Sequence, residues 1–331
     1  MKVPTIRQKP WYIGLISSLV VDRSLRNVGL TAEVQNFDRA AYDASIPIVP
    51  AATRGGVVGT DLEYVARDGF RNAARWYAPP ERAAATTPLL VYLHGGGWAL
   101  NDARHIQYEI LCSNLARDMA CDVVSLNYRL APEHPYPRAL EDVYDACEWL
   151  SENAHVAPAA DRQRLVLLGD SAGANLAACV SLAARDLRPA GWAVAHQVLC
   201  SPCLPLRPRR PSRIDPARAD GAFLPAWAMT WFEEAYAGER TVEELSNEPY
   251  ANPLAAATLA GMPPTTAVIG GAESLRDEGI ELCDALRAAG VDVECREYEG
   301  AFHAFVVLPF VADAKDAWSF VHIRLRVLLE S

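Results

Sequence analysis

The sequence predicts an α/β fold, a mostly parallel sheet with helices on both faces. Two observations on the 331-residue chain predict it. Short apolar runs alternate with segments of helical period along most of the length, and a βαβα succession of that kind builds a parallel sheet wrapped by helices. The runs themselves are continuously apolar, as in Leu89-Leu90-Val91-Tyr92-Leu93, which fits strands buried on both faces. Functional residues of such a sheet belong at the carboxyl ends of its strands.

From Met1 to about Ile46 the pattern is helical with polar interruptions, and Pro47, Pro50 and Gly55-Gly56 mark a connection; residues 1–50 read as N-terminal helices. Within them Trp11 to Val21 is the most apolar stretch. It is too short to span a bilayer and no small-residue cleavage site follows it, so an amphipathic helix packed on the protein is expected, without stable membrane insertion. Residues 51–331 then form the main domain. Val57 to Tyr77 alternates as a hairpin with Arg67-Asp68-Gly69 at its turn. After the strand at Leu89 to Leu93 come a helix from about His105 to Met119, a strand from Asp122 to Leu126, a proline-rich loop and a helix from Pro137 to Asn153. Leu165 to Leu168, Ala195 to Leu199, Thr265 to Ile269 and Val291 to Tyr298 are the remaining strands. The segment from about 205 to 248 breaks the rhythm: proline- and arginine-rich at first, then carrying Trp227, Met229, Trp231, Phe232 and Tyr236. It reads as a helix-containing insertion over the site.

Charge and composition narrow the class. The formal net charge is −10 and 51% of residues are hydrophobic, which describes an acidic, soluble globular protein and disfavours nucleic acid as a partner. The cluster Arg207, Arg209, Arg210 and Arg213 is interrupted by prolines and reads as a solvated loop. Eight cysteines lie scattered, mostly within apolar runs, which is the pattern of buried reduced thiols in a cytoplasmic protein and not of a disulfide framework.

The chemistry concentrates in Leu165 to Ala178. An apolar run, a Gly169-Asp170-Ser171-Ala172-Gly173 turn and an alanine-rich run spell strand, sharp turn and helix. Glycine at both ends lets the two backbones pass closely, while the serine sits strained with its hydroxyl presented to a substrate. Ser171 is the candidate nucleophile. A serine hydroxyl is weak until an imidazole accepts its proton, and the imidazole needs an acceptor of its own. In the chain order serine, acid, histidine, the base is His303, in a glycine-bearing turn after the last strand; His322 sits in an apolar helical run and reads as structural. The acid should leave the strand Thr265 to Ile269. Glu273 comes first after it, with Asp277 as the alternative, although Asp277 and Glu278 suit the first turn of the next helix. Gly95, Gly96 and Gly97 follow a buried strand as a second close-approach loop. The N–H groups of Gly95 and Gly96, with that of Ala172, are the expected oxyanion donors, supported by His94 and Gly97. No Gly-Lys-Ser/Thr follows, so phosphate binding is not indicated. Trp98, Trp227, Trp231 and Phe302 are candidates to line the substrate pocket, and equally candidates for the core.

Taken together, His94-Gly95-Gly96-Gly97-Trp98, Tyr128-Arg129-Leu130-Ala131-Pro132-Glu133, Gly169-Asp170-Ser171-Ala172-Gly173, Asn252-Pro253-Leu254, Leu275-Arg276-Asp277-Glu278-Gly279 and His303 resemble the hormone-sensitive-lipase-like family of bacterial esterases, across about residues 60–330. The resemblance implies an α/β-hydrolase fold, with an eight-stranded, mostly parallel sheet under a helical cap made from the N-terminal helices and the 205–248 insertion. It implies hydrolysis of short- to medium-chain carboxylic esters without a metal or organic cofactor, a small-molecule ester as the partner, and dimerisation through an edge strand or helix at the far end. Asp170, Glu133, Tyr128 and Arg129 are implied as braces of the catalytic loops. One departure stands out: the family usually carries aspartate where this chain has Glu273. The same chemistry serves an amidase or an acyltransferase, and the same fold serves as a ligand receptor once its histidine is lost.

Overall fold

The structure is a computed structural model that describes residues 34, 37–46, 48–84, 86–215, 218 and 224–329. Trp11 to Val21 and most of the expected N-terminal helices lie outside the described residues.

Among these residues nine strands form one sheet in the order β1-β2-β3-β5-β4-β6-β7-β8-β9. The strands are β1 (Thr53–Arg54), β2 (Val57–Val65), β3 (Arg71–Ala78), β4 (Thr87–Leu93), β5 (Val123–Leu126), β6 (Ala160–Asp170), β7 (Ala193–Cys200), β8 (Thr265–Gly270) and β9 (Val293–Tyr298). The first three and the β3–β5 pair are antiparallel; from β5 to β9 every pair is parallel. The count corrects the expected eight strands. Thr53–Arg54 folds back on Val57 and Val58 across Gly55-Gly56, both at positive φ, and two residues are too short to show alternation in a sequence.

The helices are α1 (Arg39–Ser45), α2 (Ile106–Met119), α3 (Arg138–Glu152), α4 (Ala172–Leu187), the short α5 (Pro211–Ile214), α6 (Ala226–Ala237), the short α7 (Val242–Ser246), α8 (Arg276–Ala288) and α9 (Ala312–Leu329). Successive side chains of a strand point to opposite faces, and both faces here are covered. Leu89, Val91 and Leu93 of β4, with Leu165 and Leu167 of β6, enter the core shared with α3, α4 and α6; Leu90 and Tyr92, with Val166 and Leu168, enter the core shared with α2 and α9. That is why these strands carry no polar alternation.

From Ala172 to Ala184 every residue of α4 is buried, and its many alanines let the helix sit close to the strands and helices around it. The insertion contributes α5, α6 and α7. Trp231 of α6 packs edge-on against Phe37, just ahead of α1, at 5.2 Å between ring centroids, so the described end of the N-terminal segment and the insertion meet.

Candidate active site

Ser171 sits between β6 and α4 at φ 55° and ψ −119°. For a residue with a Cβ this conformation costs about 1–3 kcal/mol and persists only where the surroundings impose it. They do. The N–H of Ser171 donates to Cys200 O at 2.9 Å, and its carbonyl accepts from Cys203 N at 3.2 Å and Asn175 N at 3.1 Å. Gly173 lies so close to the end of β4 that a Cβ there would collide with the carbonyl of Leu93, and one at Gly169 would collide with the backbone of Gly173. Both glycines are close-approach positions, as the turn pattern requires.

His303 follows β9 in the turn Glu299 to Ala304. Its Nε2 lies 3.0 Å from Ser171 Oγ, and its Nδ1 lies 2.5 Å from Glu273 Oε2. Serine, histidine and glutamate thus form one hydrogen-bonded line across residues far apart in sequence, each at most 5% exposed. Glu273 stands in the loop after β8. Its other oxygen, Oε1, accepts from the N–H of Gly270 at 2.9 Å and from the hydroxyl of Ser201 at 2.5 Å. Three donors therefore fix this carboxylate. Asp277 points elsewhere: it accepts from Ser212 N at 2.8 Å and pairs with Arg276 at 2.9 Å. Glu278 is buried against Arg213 and accepts from Leu204 N at 2.7 Å; burial pushes its carboxyl up to about 7 against the pull of the guanidinium. His322 lies on α9, away from this line.

The glycine loop after β4 divides its backbone donors. The N–H of Gly95 is taken, by Asp170 Oδ1 and Tyr108 Oη, each at 3.1 Å. Those of Gly96 and Gly97 find no acceptor among the described residues. A Cβ on Gly97, at φ 60°, would strike the ring of Phe232 on α6, so glycine here also admits the insertion to the loop. Ala172 opens α4, and the first N–H groups of a helix have no partner within it.

The residues expected as braces each have specific partners. Asp170 accepts from Tyr92 Oη at 2.8 Å as well as from Gly95, and complete burial pushes its carboxyl up to about 6. His94 is fully buried, with Nδ1 2.8 Å from Gly95 O, and burial holds it down at about 4, so it stays neutral. Tyr128 stacks on His94 at 4.4 Å and donates to its carbonyl at 2.6 Å. Arg129 clamps Asp142 with two nitrogens. Glu133 pairs with Arg39 of α1 at 2.9 Å, and the same guanidinium reaches the carbonyls of Ala99 at 2.6 Å and Ala131 at 2.7 Å. Arg39 thereby ties the N-terminal segment to both loops.

Of the pocket candidates, Trp98 is sealed at 0% exposure, its ring stacked on Tyr236 at 4.2 Å. Trp231 and Phe302 are buried and Trp227 is half-buried. Sequence reading missed Ser201 and Arg39. Ser201 had a signal, since it directly follows β7 at the carboxyl edge of the sheet; Arg39 had none.

The profile of a protein family described as the α/β-hydrolase fold matches residues 90–307, the stretch that holds Ser171, His303, Glu273 and the glycine loop. The chain belongs to the α/β-hydrolase family. It is 38% identical over 242 residues to the carboxylic ester hydrolase LipN of Mycobacterium tuberculosis, a match that spans 71% of this chain and 61% of that protein. It is 33% identical over 261 residues to an ethyl acetate hydrolase of Pseudomonas putida, spanning 78% of each. Among solved structures, the ester hydrolase EH1AB1 from the metagenome of Lake Arreo superposes with a TM-score of 0.80 at 28% identity and full coverage of both chains. The hydrolase relatives agree with the resemblance to hormone-sensitive-lipase-like bacterial esterases.

Proposed function

We propose that this α/β-hydrolase is a serine carboxylesterase acting on short- to medium-chain esters. The observation that carries the reading is the line from Ser171 through His303 to Glu273. With Nδ1–H donated to Glu273, the Nε2 of His303 is left as an acceptor for the Ser171 proton. Ser171 Oγ attacks the ester carbonyl carbon as that proton moves to Nε2. The oxyanion so formed accepts from the N–H groups of Gly96, Gly97 and Ala172, while Gly95, its own N–H engaged, holds the loop in place. His303 returns the proton to the departing alkoxide and an acyl group remains on Ser171. Water then loses a proton to His303 and attacks the acyl carbon, releasing the acid and restoring the hydroxyl.

The 205–248 insertion, with the N-terminal segment, forms the cap in this reading; the contact of Phe232 with Gly97 and of Trp231 with Phe37 supports it. A cytoplasmic setting is supported by eight cysteines that are all free. No helix among the described residues is long and apolar enough to cross a membrane. Hydrolysis of a series of p-nitrophenyl esters from acetate to decanoate tests the reading. Activity falling off beyond medium chains and abolished in Ser171→Ala agrees with it, and full activity in Ser171→Ala refutes it.

A further inference from the structure

Two of the eight cysteines meet between a helix and a strand. Cys283 lies on α8 and Cys295 on β9, and both pack in one small cluster with Ala267 and Ile269 of β8. Register brings them together. Residues seven and eleven places on share one face of a helix, so Arg276, Cys283 and Arg287 project from the same side of α8. Alternate residues share one face of a strand, so Val293, Cys295 and Glu297 form the matching row on β9. The two rows run in opposite directions and are pinned at both ends: Arg276 donates twice to Glu297, at 2.7 and 2.8 Å, and Arg287 Nε reaches Val293 O at 3.4 Å. Cys283 and Cys295 fall between these contacts, and the thiol of Cys283 donates to the sulfur of Cys295. The other face of β9 is turned to α9, where Arg296 pairs with Asp316 and Glu294 with Arg324.

The two sulfurs are unequal. Cys283 is 1% exposed, whereas Cys295 is half-buried on β9 at the edge of the sheet. The hydrogen bond from Cys283 holds the Cys295 thiol below its ordinary range, and the Arg287 guanidinium pulls the same way; the same bond, with burial, raises Cys283. The six remaining thiols are buried, and burial pushes each of them up. A partly exposed sulfur beside a cation, with a second thiol in contact, is the setting of a reactive cysteine and its resolving partner.

We propose that Cys295 and Cys283 form a redox-reactive pair that a hydroperoxide closes to a disulfide. The thiolate of Cys295 attacks a peroxide oxygen: an S–O bond forms, the O–O bond breaks, and the departing alkoxide or hydroxide takes up the proton that Cys295 has lost. The sulfur of Cys283 then attacks the resulting sulfenic acid. The S–S bond forms, the S–O bond breaks, and hydroxide leaves with the Cys283 proton as water. Two thiols are oxidised by two electrons in all, and the peroxide is reduced to an alcohol, or to water, and one further water. A dithiol reverses the closure, as suits a disulfide that forms transiently in a reducing compartment. The closed pair ties α8, which follows the Glu273 loop, to β9, which leads into the His303 turn. The proposal does not rest on the esterase reading of that centre.

Exposure of the folded full chain to hydrogen peroxide at neutral pH, followed by peptide mapping without reductant, tests it. The expected result is a single cross-link, Cys283 to Cys295, with the titratable thiols falling by two from eight and returning on treatment with dithiothreitol. Cys295 should be lost at least about tenfold faster than the six other buried thiols. In Cys283→Ser, which keeps a small polar side chain and removes the resolving sulfur, Cys295 should collect as a sulfenic acid that dimedone traps. In Cys295→Ser, Cys283 should keep its thiol through the same exposure. A Cys295 that stays reduced in the unsubstituted chain, that joins any cysteine other than Cys283, or that passes to sulfinic acid while Cys283 remains a thiol would overturn the proposal.

Discussion

Ser201 donates its hydroxyl to Glu273 at 2.5 Å, on the carboxylate oxygen that His303 does not use. Ser201 reaches it from a positive φ of 48° just after β7, with its N–H held by Val268 O at 2.8 Å. The longer glutamate side chain has one more rotatable bond than aspartate, and this hydroxyl, with the N–H of Gly270, takes up that freedom.

Removing the hydroxyl in Ser201→Ala should lower kcat about tenfold, the worth of one hydrogen bond to a charged group, with KM little changed. Ser201→Thr, which keeps the hydroxyl, should restore most of the rate. A drop in both variants alike would mean that the position acts through packing and not through Glu273.

The two carboxylates after β8 separate in the same assay. Glu273→Gln should reduce kcat by about 10⁴, the loss seen when the acid that orients a catalytic imidazole is replaced by its amide. Asp277→Asn should keep the rate within about twofold, because its contacts are with Ser212 and Arg276. Equal losses in both would remove Glu273 from the role proposed for it.

Asp170 gives a prediction in pH. Its carboxyl, at about 6 in the fold because of burial, loses its proton near 4 in the unfolded chain. Between those values the folded state binds more protons, so this group's contribution to stability falls as pH rises through the window. Asp170→Asn removes that titration. Relative to the unsubstituted protein, the variant should gain about 3 kcal/mol in urea unfolding between pH 4 and pH 7. A difference that is the same at both ends of the range would contradict the assigned burial.

Arg213 lies between two buried acids, Glu233 of α6 and Glu278 of α8, and joins the insertion to the helix that follows the Glu273 loop. In Arg213→Met the buried Glu278 loses its paired cation while Glu233 keeps Arg207 at 2.7 Å, and the expected cost is about 3–5 kcal/mol. Arg210→Met, which breaks a pair with the partly exposed Glu281, should cost no more than about 1 kcal/mol. Urea denaturation of the two variants side by side decides whether the inner pair holds the insertion down.

The legible parts of this protein were those written in local pattern. A strand buried on both faces has to be apolar throughout, so β4, β6, β7 and β8 were readable in order, and a turn that brings two backbones into contact has to use Gly169 and Gly173. Ser171 and His303 could be named because chain order limits a late histidine to two positions, of which His322 sits in an apolar helical run. What only the tertiary structure decided was pairing across the fold. The sequence left Glu273 and Asp277 in competition because both are carboxylates a few residues past one strand; the direction each side chain takes depends on Ser201 just after β7 and Ser212 from the insertion. Likewise three adjacent glycines look alike in sequence, and it takes Asp170 and Tyr108 arriving from elsewhere to engage the N–H of Gly95 and leave Gly96 and Gly97 free among the described residues. Local sequence sets which conformations and burial each segment can adopt, whereas the partner of a hydrogen-bonding group is fixed by residues distant in the chain that only folding brings within 3 Å.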